Sequence, residues 1–222
     1  MGSSGVELLI PETGESGREW IADVDKASGL FFVGAWLIVL MGFLAIVAFV
    51  GFYDVLREAG RVMVLAPVLG TVGLTLVTVS HLVPISMAYQ LAPAYSEADP
   101  AGQATLAATF DTFAATALVT NSAGNFLGWG VAVPMFAVAI LRTRALPRWI
   151  GWLGLITGLL AGWLGLLSSV SGVIEGISGI GFFGFFVFML SMGVAILRRP
   201  GAVEAPHRGG AALSPGNGQS SP

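Results

Sequence analysis

The chain has 222 residues, of which 55% are hydrophobic and 10% charged, and its net charge is −3. Soluble globular proteins carry about 25% charged residues, so this composition excludes an ordinary soluble domain. With no basic patch, nucleic-acid binding has no support. Cysteine is absent and there are only two histidines, which excludes disulfides and thiolate or histidine-rich metal sites. We expect no metal and no cofactor.

Long uncharged stretches alternate with short polar connectors along most of the chain. Residues 1–28 are polar and acidic and do not begin as a cleavable signal peptide does. Residues 29–199 form the predicted transmembrane domain, and the tail at 200–222, rich in Pro, Gly, Ser and Ala, is predicted to be disordered. Four apolar stretches are long enough to cross about 30 Å of hydrocarbon as helices; they cover residues 29–52, 62–87, 149–169 and 179–197.

The stretch between the second and fourth of these, residues 103–141, has two interpretations. As one helix it would be about 58 Å long, which indicates a long or bent span with an extension outside the membrane. Alternatively, it forms two short spans hinged at residues 121–124.

The basic residues help to choose between five and six spans. Five spans place Arg18 and Lys26 outside, whereas six place Arg57 and Arg61 outside. The second pair lies in a short loop, where the positive-inside rule is strongest, and the first pair is diluted by six acids. Six spans would also bury Asp111 at a cost of about 2.5–3.5 kcal/mol. We therefore predict an all-α polytopic bundle of five spans, with the N-terminus outside and the C-terminus in the cytoplasm.

Small residues indicate how the fourth span packs. Glycines spaced three and four apart share one helical face; they are Gly151, Gly154, Gly158, Gly162 and Gly165. Because apolar burial does not drive helices together in lipid, such a face predicts close helix packing. Packing within this chain is the favoured interpretation, and a homo-oligomer or another membrane partner is the alternative.

Threonines form two further stripes, and each stripe has two interpretations. A structural seam is favoured over a polar lining for a solute path. The stripes consist of Thr71, Thr75 and Thr78 in the second span, and Thr105, Thr109, Thr112, Thr116 and Thr120 in the third.

The sequence RTRALPRWIGWLGLITGL, residues 142–159, resembles the hallmark of a bacterial multi-pass membrane family of unknown function, DUF4386. The resemblance covers about residues 28–199, including Ser80-His81, where the family often has Asn or His. The family usually has six spans. This chain lacks the first, which implies an outside N-terminus. The resemblance implies a bacterial cell membrane and supplies no catalytic residues.

Polar residues at membrane depth are the candidates for a functional site. Five spans would bring a set of them towards the outer face: His81, Asp111, Asn121, Asn125 and Glu175. The alternative is that they are interfacial residues that meet water. Gly176-Ile177-Ser178-Gly179 matches the GxSG pattern of rhomboid proteases, but no histidine follows on a later span to act as the base, so we interpret these glycines as packing residues.

The leading functional hypothesis is an integral membrane protein without enzymatic activity, either binding a ligand or acting as an accessory to another membrane component. A small-solute or proton-coupled transporter is the alternative, and an intramembrane enzyme is third. The lipid bilayer is the one partner that the composition itself implies.

Overall fold

The computed structural model describes residues 17–26 and 28–198 of the chain. These residues form α-helices joined in part by 3₁₀ and π turns, with no strand among them, which confirms the all-α prediction. The helices are α1 (Gly17–Lys26), α2 (Ser28–Leu56), α3 (Leu65–Glu97), α4 (Pro100–Asn125), α5 (Val133–Thr143), α6 (Arg148–Thr157) and α7 (Gly172–Leu197). The tail predicted to be disordered lies outside the described residues.

Five helical segments within the described ranges are long and apolar enough to cross a membrane, so the prediction of five spans is confirmed. Which face each end of the bundle meets stays a prediction. The segments are Phe32–Ala59, Arg61–Glu97, Pro100–Thr143, Arg148–Leu167 and Gly172–Leu197.

The third span is one helical segment of 44 residues, Pro100–Thr143, in which α4 continues through a π turn at Phe126–Ala132 into α5. The chain does not reverse at residues 121–124, so the two-span interpretation of this stretch is wrong. At about 66 Å the segment is roughly twice the thickness of the hydrocarbon core. A straight segment of this length is too long to lie within the hydrocarbon core.

A proline shapes the junction between this span and the next. Pro134 has no N–H, so it cannot bond the carbonyl of Gly130 one turn before it. That carbonyl instead accepts a hydrogen bond from the indole Nε1 of Trp163, at 3.0 Å. Trp163 closes a second π turn, Gly158–Trp163, so the two irregular turns lie against each other.

The acidic N-terminal segment contains α1, which the sequence analysis did not predict. Trp20, Ile21 and Val24 are buried on its inner face, and the Trp20 ring stacks on Phe110 of α4 with centroids 4.9 Å apart. The N–H of Gly17 donates to Asp111 Oδ1 at 2.8 Å. Because α1 sits on the extension of α4, it is part of the folded bundle.

Two apolar clusters lie at opposite ends of the bundle. One joins α1 to α3 and α4 around Trp20 and Phe110. The larger one joins α2, α5 and α7 around Phe52, Phe136 and Phe188, whose rings contact one another at 5.8 and 6.4 Å. The larger cluster lies near the loops that follow α2 and α5.

The glycine face of the fourth span is covered by the same chain. A methyl group at Gly158 would lie 2.5 Å from Pro134 Cγ, and one at Gly154 would lie 2.7 Å from Phe188 Cε2. A methyl group at Gly162 would meet the backbone of Gly130. These distances show close approach to α5 and α7. A homo-oligomer or another membrane partner at this face stays a prediction.

A second seam of close approach joins α3 to α4. A methyl group at Gly73 would lie 2.6 Å from the carbonyl oxygen of Gly124, and one at Gly124 would lie 2.7 Å from the carbonyl oxygen of Gly73. Such approach of two backbones is how helices gain contact in lipid. The interface between α3 and α4 is consequently tight over its middle turns.

Candidate functional site

The structure brings two of the five predicted site residues together, through a third residue. Ser80 is 6% exposed, and its hydroxyl lies 2.7 Å from the carbonyl oxygen of Val77 and 3.3 Å from Asn121 Oδ1. His81 Nδ1 lies 2.7 Å from the same Val77 carbonyl and 3.4 Å from the Ser80 hydroxyl. Ser80 thereby connects His81 on α3 to Asn121 on α4.

The chemistry of this group is limited. A carbonyl can only accept, so the Nδ1 of His81 that faces the Val77 carbonyl carries a proton. The ring is half-buried, and it lies 16 residues from either end of α3. Because Nδ1 is protonated towards the Val77 carbonyl, it cannot act as a base for the neighbouring Ser80 hydroxyl.

The other three predicted residues are engaged elsewhere or exposed. Asn125 Oδ1 accepts from the indole of Trp129 at 2.8 Å, within the same helical segment. Asp111 accepts the N–H of Gly17 and lies ten residues, about 15 Å along the helix, from Asn121. Glu175 is exposed in the first turn of α7. These three do not join His81 in a common site.

No cluster of three or more His, Cys, Asp or Glu side chains occurs within residues 17–26 and 28–198. Ser178 is half-buried, and its hydroxyl would lie 3.2 Å from a methyl group at Gly165. Its neighbourhood is a helix contact. His207 lies outside the described residues.

The threonine stripes bond their own helices. Thr75 and Thr78 donate to carbonyls one turn earlier at 2.8 Å. The stripe on α4 does the same at 2.9–3.1 Å, and four of its five members are exposed on the outside of the bundle. This second stripe does not line an interior path.

A groove of about 260 Å³ opens at the end of the bundle where α2, α5 and α7 finish. We call this end the basic end, because it carries Arg57, Arg61, Arg142, Arg144, Arg148 and Arg198. The groove walls are apolar except for one arginine; the lining residues are Ala59, Val62, Met63, Pro134, Met135, Val138, Ala139 and Arg142.

One wall comes from a single face of α5. Residues spaced three, four and seven apart lie on one side of a helix, as Met135, Val138 and Arg142 do here. From Pro134 to Arg142 this face is about 12 Å long, and the arginine lies at its outer end.

The other wall comes from the turn between α2 and α3. Two short 3₁₀ turns, Arg57–Ala59 and Arg61–Val64, are separated by Gly60 at φ 124°. L side chains rarely adopt this φ, whereas glycine does so freely. The reversal at Gly60 brings Ala59, Val62 and Met63 against α5.

Charge at the groove is unbalanced. Six arginines face two acids, Asp54 and Glu58, at this end of the described chain. Arg57 is paired with Asp54 at 3.2 Å. Arg142 is exposed and makes no ion pair with any residue that the structure describes. Its guanidinium therefore has donors available at the mouth of an apolar groove.

Sequence reasoning missed this groove. It considered Arg142 only as the end of a span and the start of the family hallmark. It named Ser80, the residue that links His81 to Asn121, only as part of the family resemblance and not as a site residue. The spacing of Met135, Val138 and Arg142 predicts that they share one face of a helix. Nothing in the sequence, however, places the Gly60 turn against that face.

No curated protein and no solved structure matches the chain. A family described as a domain of unknown function, DUF4386, matches residues 8–197, which extends the predicted resemblance into the N-terminal segment. With five spans in the structure and a match over most of its length, the chain belongs to the DUF4386 family of multi-pass membrane proteins.

Proposed function

We propose that the protein is a non-enzymatic, multi-pass protein of a bacterial cell membrane that binds an amphiphilic ligand in the groove at its basic end. The observation that carries this proposal is the guanidinium of Arg142, which pairs with no acid among the described residues, at the mouth of an otherwise apolar groove. Ligand sites in general combine apolar walls with a few placed polar groups.

The size of the groove supports an amphiphile rather than a compact solute. Pockets that enclose a whole small molecule usually measure about 300–1,000 Å³, and this groove is smaller, at about 260 Å³. It suits one apolar chain of a larger molecule, whose polar part stays at the mouth beside Arg142.

Transport has less support. The α3–α4 interface, which a path past His81 would have to use, is closed by the Gly73–Gly124 contact, where a methyl group would lie 2.6 Å from a backbone oxygen. The longer threonine stripe faces outwards. His81, half-buried at the middle of α3, is the feature that a carrier would use.

The proposal can be tested by blocking the groove. Val138 is 37% exposed and lines it, so Val138→Trp should fill it without disturbing the core. Ile156→Trp is the matched control, because Ile156 is 53% exposed on α6 and does not line the groove. Native mass spectrometry of the detergent-solubilised protein should show a co-purified amphiphile in the wild type and the control. The Val138 variant should have lost it.

The proposal would be overturned if both variants retained the same amphiphile. It would also be overturned if neither the wild type nor the control carried one. A melting temperature for each variant shows that the fold has survived.

A further inference from the structure

We infer that the ligand of this groove is an anionic phospholipid, with one acyl chain between α5 and the Gly60 turn and its phosphate on the Arg142 guanidinium. This inference rests on the proposed function and names the class of ligand. It follows from the shape of the groove, the position of the arginine and the charge around it.

The shape indicates an acyl chain. The α5 wall is about 12 Å long and bears no polar side chain between Pro134 and Arg142. Val62, at the opposite wall, is 68% exposed, so the groove is open to the surrounding lipid. A chain could enter from the bilayer without leaving an apolar medium.

The arginine indicates a phosphate. Guanidinium binds phosphate through two parallel, charge-assisted hydrogen bonds. Arg142 has its donors free for this, because no acid pairs with it in the described chain. It sits near the last turn of a membrane-spanning helix, which is where headgroups lie. A free phosphate would leave the apolar walls without a role.

The surrounding charge indicates an anionic rather than a zwitterionic headgroup. Arg61, next to Val62 in the lining, and Arg144, two residues beyond Arg142, are both exposed. These cations repel the ammonium group of a choline headgroup and attract a net negative one. Glu58 opposes them, but it is one acid against three arginines.

The test compares phosphatidylglycerol with phosphatidylcholine of the same short acyl chains, titrated into the full-length protein in detergent and counted by native mass spectrometry. We expect wild-type protein to bind phosphatidylglycerol about tenfold more tightly, because Arg61 and Arg144 attract its net negative headgroup. Arg142→Gln should weaken the binding of both lipids about tenfold, because both carry the phosphate that Arg142 holds. A melting temperature close to that of the wild type shows that the variant is folded.

Arg198→Gln is the matched control, because Arg198 also ends a helix at the basic end but does not line the groove. It should keep the wild-type affinity for both lipids. An equal loss of affinity in both variants would indicate general surface charge and overturn the inference, as would unchanged affinities in Arg142→Gln. A different result would be that the wild type binds the two lipids equally and that Val138→Trp abolishes the binding of both. That result would overturn the inference but not the proposed function.

If no lipid binding depends on Val138, both proposals fail. A dimer that Val138→Trp dissociates, without bound lipid, would assign the groove to a second copy of the chain and would likewise overturn the inference.

Discussion

Gly158 has no room for a side chain. A methyl group there would meet Pro134 Cγ at 2.5 Å and the Trp129 carbonyl oxygen at 2.9 Å. Leucine must displace α5 from α6, and such overpacking costs about 1–3 kcal/mol. We therefore predict that Gly158→Leu lowers the melting temperature of the detergent-solubilised protein.

Ile156→Phe supplies the comparison for Gly158. Ile156 lies on the same helix, 53% exposed, and a larger apolar side chain there meets lipid or detergent. It should leave the melting temperature close to that of the wild type. Equal losses at the two positions would mean that the glycine face does not decide the packing.

His81→Gln tests whether the histidine has a functional role. The substitution removes the hydrogen bond from Nδ1 to the Val77 carbonyl, at 2.7 Å, and the glutamine amide replaces it only in part. The free energy of unfolding should fall by about 0.5–1.5 kcal/mol. We predict a small fall in melting temperature and an unchanged pH profile of lipid binding. A proton-coupled flux in proteoliposomes that disappears in the variant would contradict this and favour the carrier alternative.

At the scale of single elements, α1 depends on a few apolar contacts. Trp20 is 3% exposed and stacks on Phe110, and removing a buried tryptophan costs about 3–5 kcal/mol. We predict that Trp20→Ala releases α1 from α3 and α4, so that trypsin cleaves after Arg18 faster than in the wild type. Trp36→Ala is the control, because Trp36 is 61% exposed on α2. The same cleavage rate in both variants would show that Trp20 does not hold α1.

The elements differ in how far the sequence predicts them. The five spans follow from the lengths of the uncharged stretches and the positions of the arginines, because a stretch that must cross the bilayer has few alternative arrangements. Helix α1 was missed since its stripe of Trp20, Ile21 and Val24 is short and surrounded by acids. The π turn after Asn125 was missed as well. Its Gly130 carbonyl accepts a hydrogen bond from Trp163, 33 residues away, a contact that local sequence patterns do not reveal.

At the scale of the whole molecule, the sequence predicts how deep a residue of the candidate site lies in the membrane, but not which residues it contacts. Charge and hydropathy place residues by depth, and depth alone grouped His81 with Asp111, Asn121, Asn125 and Glu175. Lateral position decides which of them meet, and it is set by backbone contacts such as that of Gly73 with Gly124. The contact between His81 and Asn121 therefore runs through Ser80, a residue that depth did not single out.

The final prediction is the orientation of the whole bundle. Six described arginines lie at the basic end, whereas the connector between α3 and α4 at the opposite end carries Glu97 and Asp99 and no basic residue. Short loops rich in arginine stay in the cytoplasm. We therefore expect the basic end, with the groove, to face the cytoplasm and the N-terminus to lie outside.

Because the sequence contains no cysteine, single introduced cysteines report orientation in the full-length protein without background. Ser96 and Glu58 are exposed at opposite ends of the bundle. In intact spheroplasts, a membrane-impermeant maleimide should label Ser96→Cys and spare Glu58→Cys; after lysis it should label both. Ser80→Cys, buried between α3 and α4, should stay unlabelled throughout and serves as the folded control. If the maleimide labelled Glu58→Cys and not Ser96→Cys in intact spheroplasts, the orientation of the bundle would be the opposite of the predicted one. The groove would then face the outer leaflet, and the anionic lipid it binds would have to come from there.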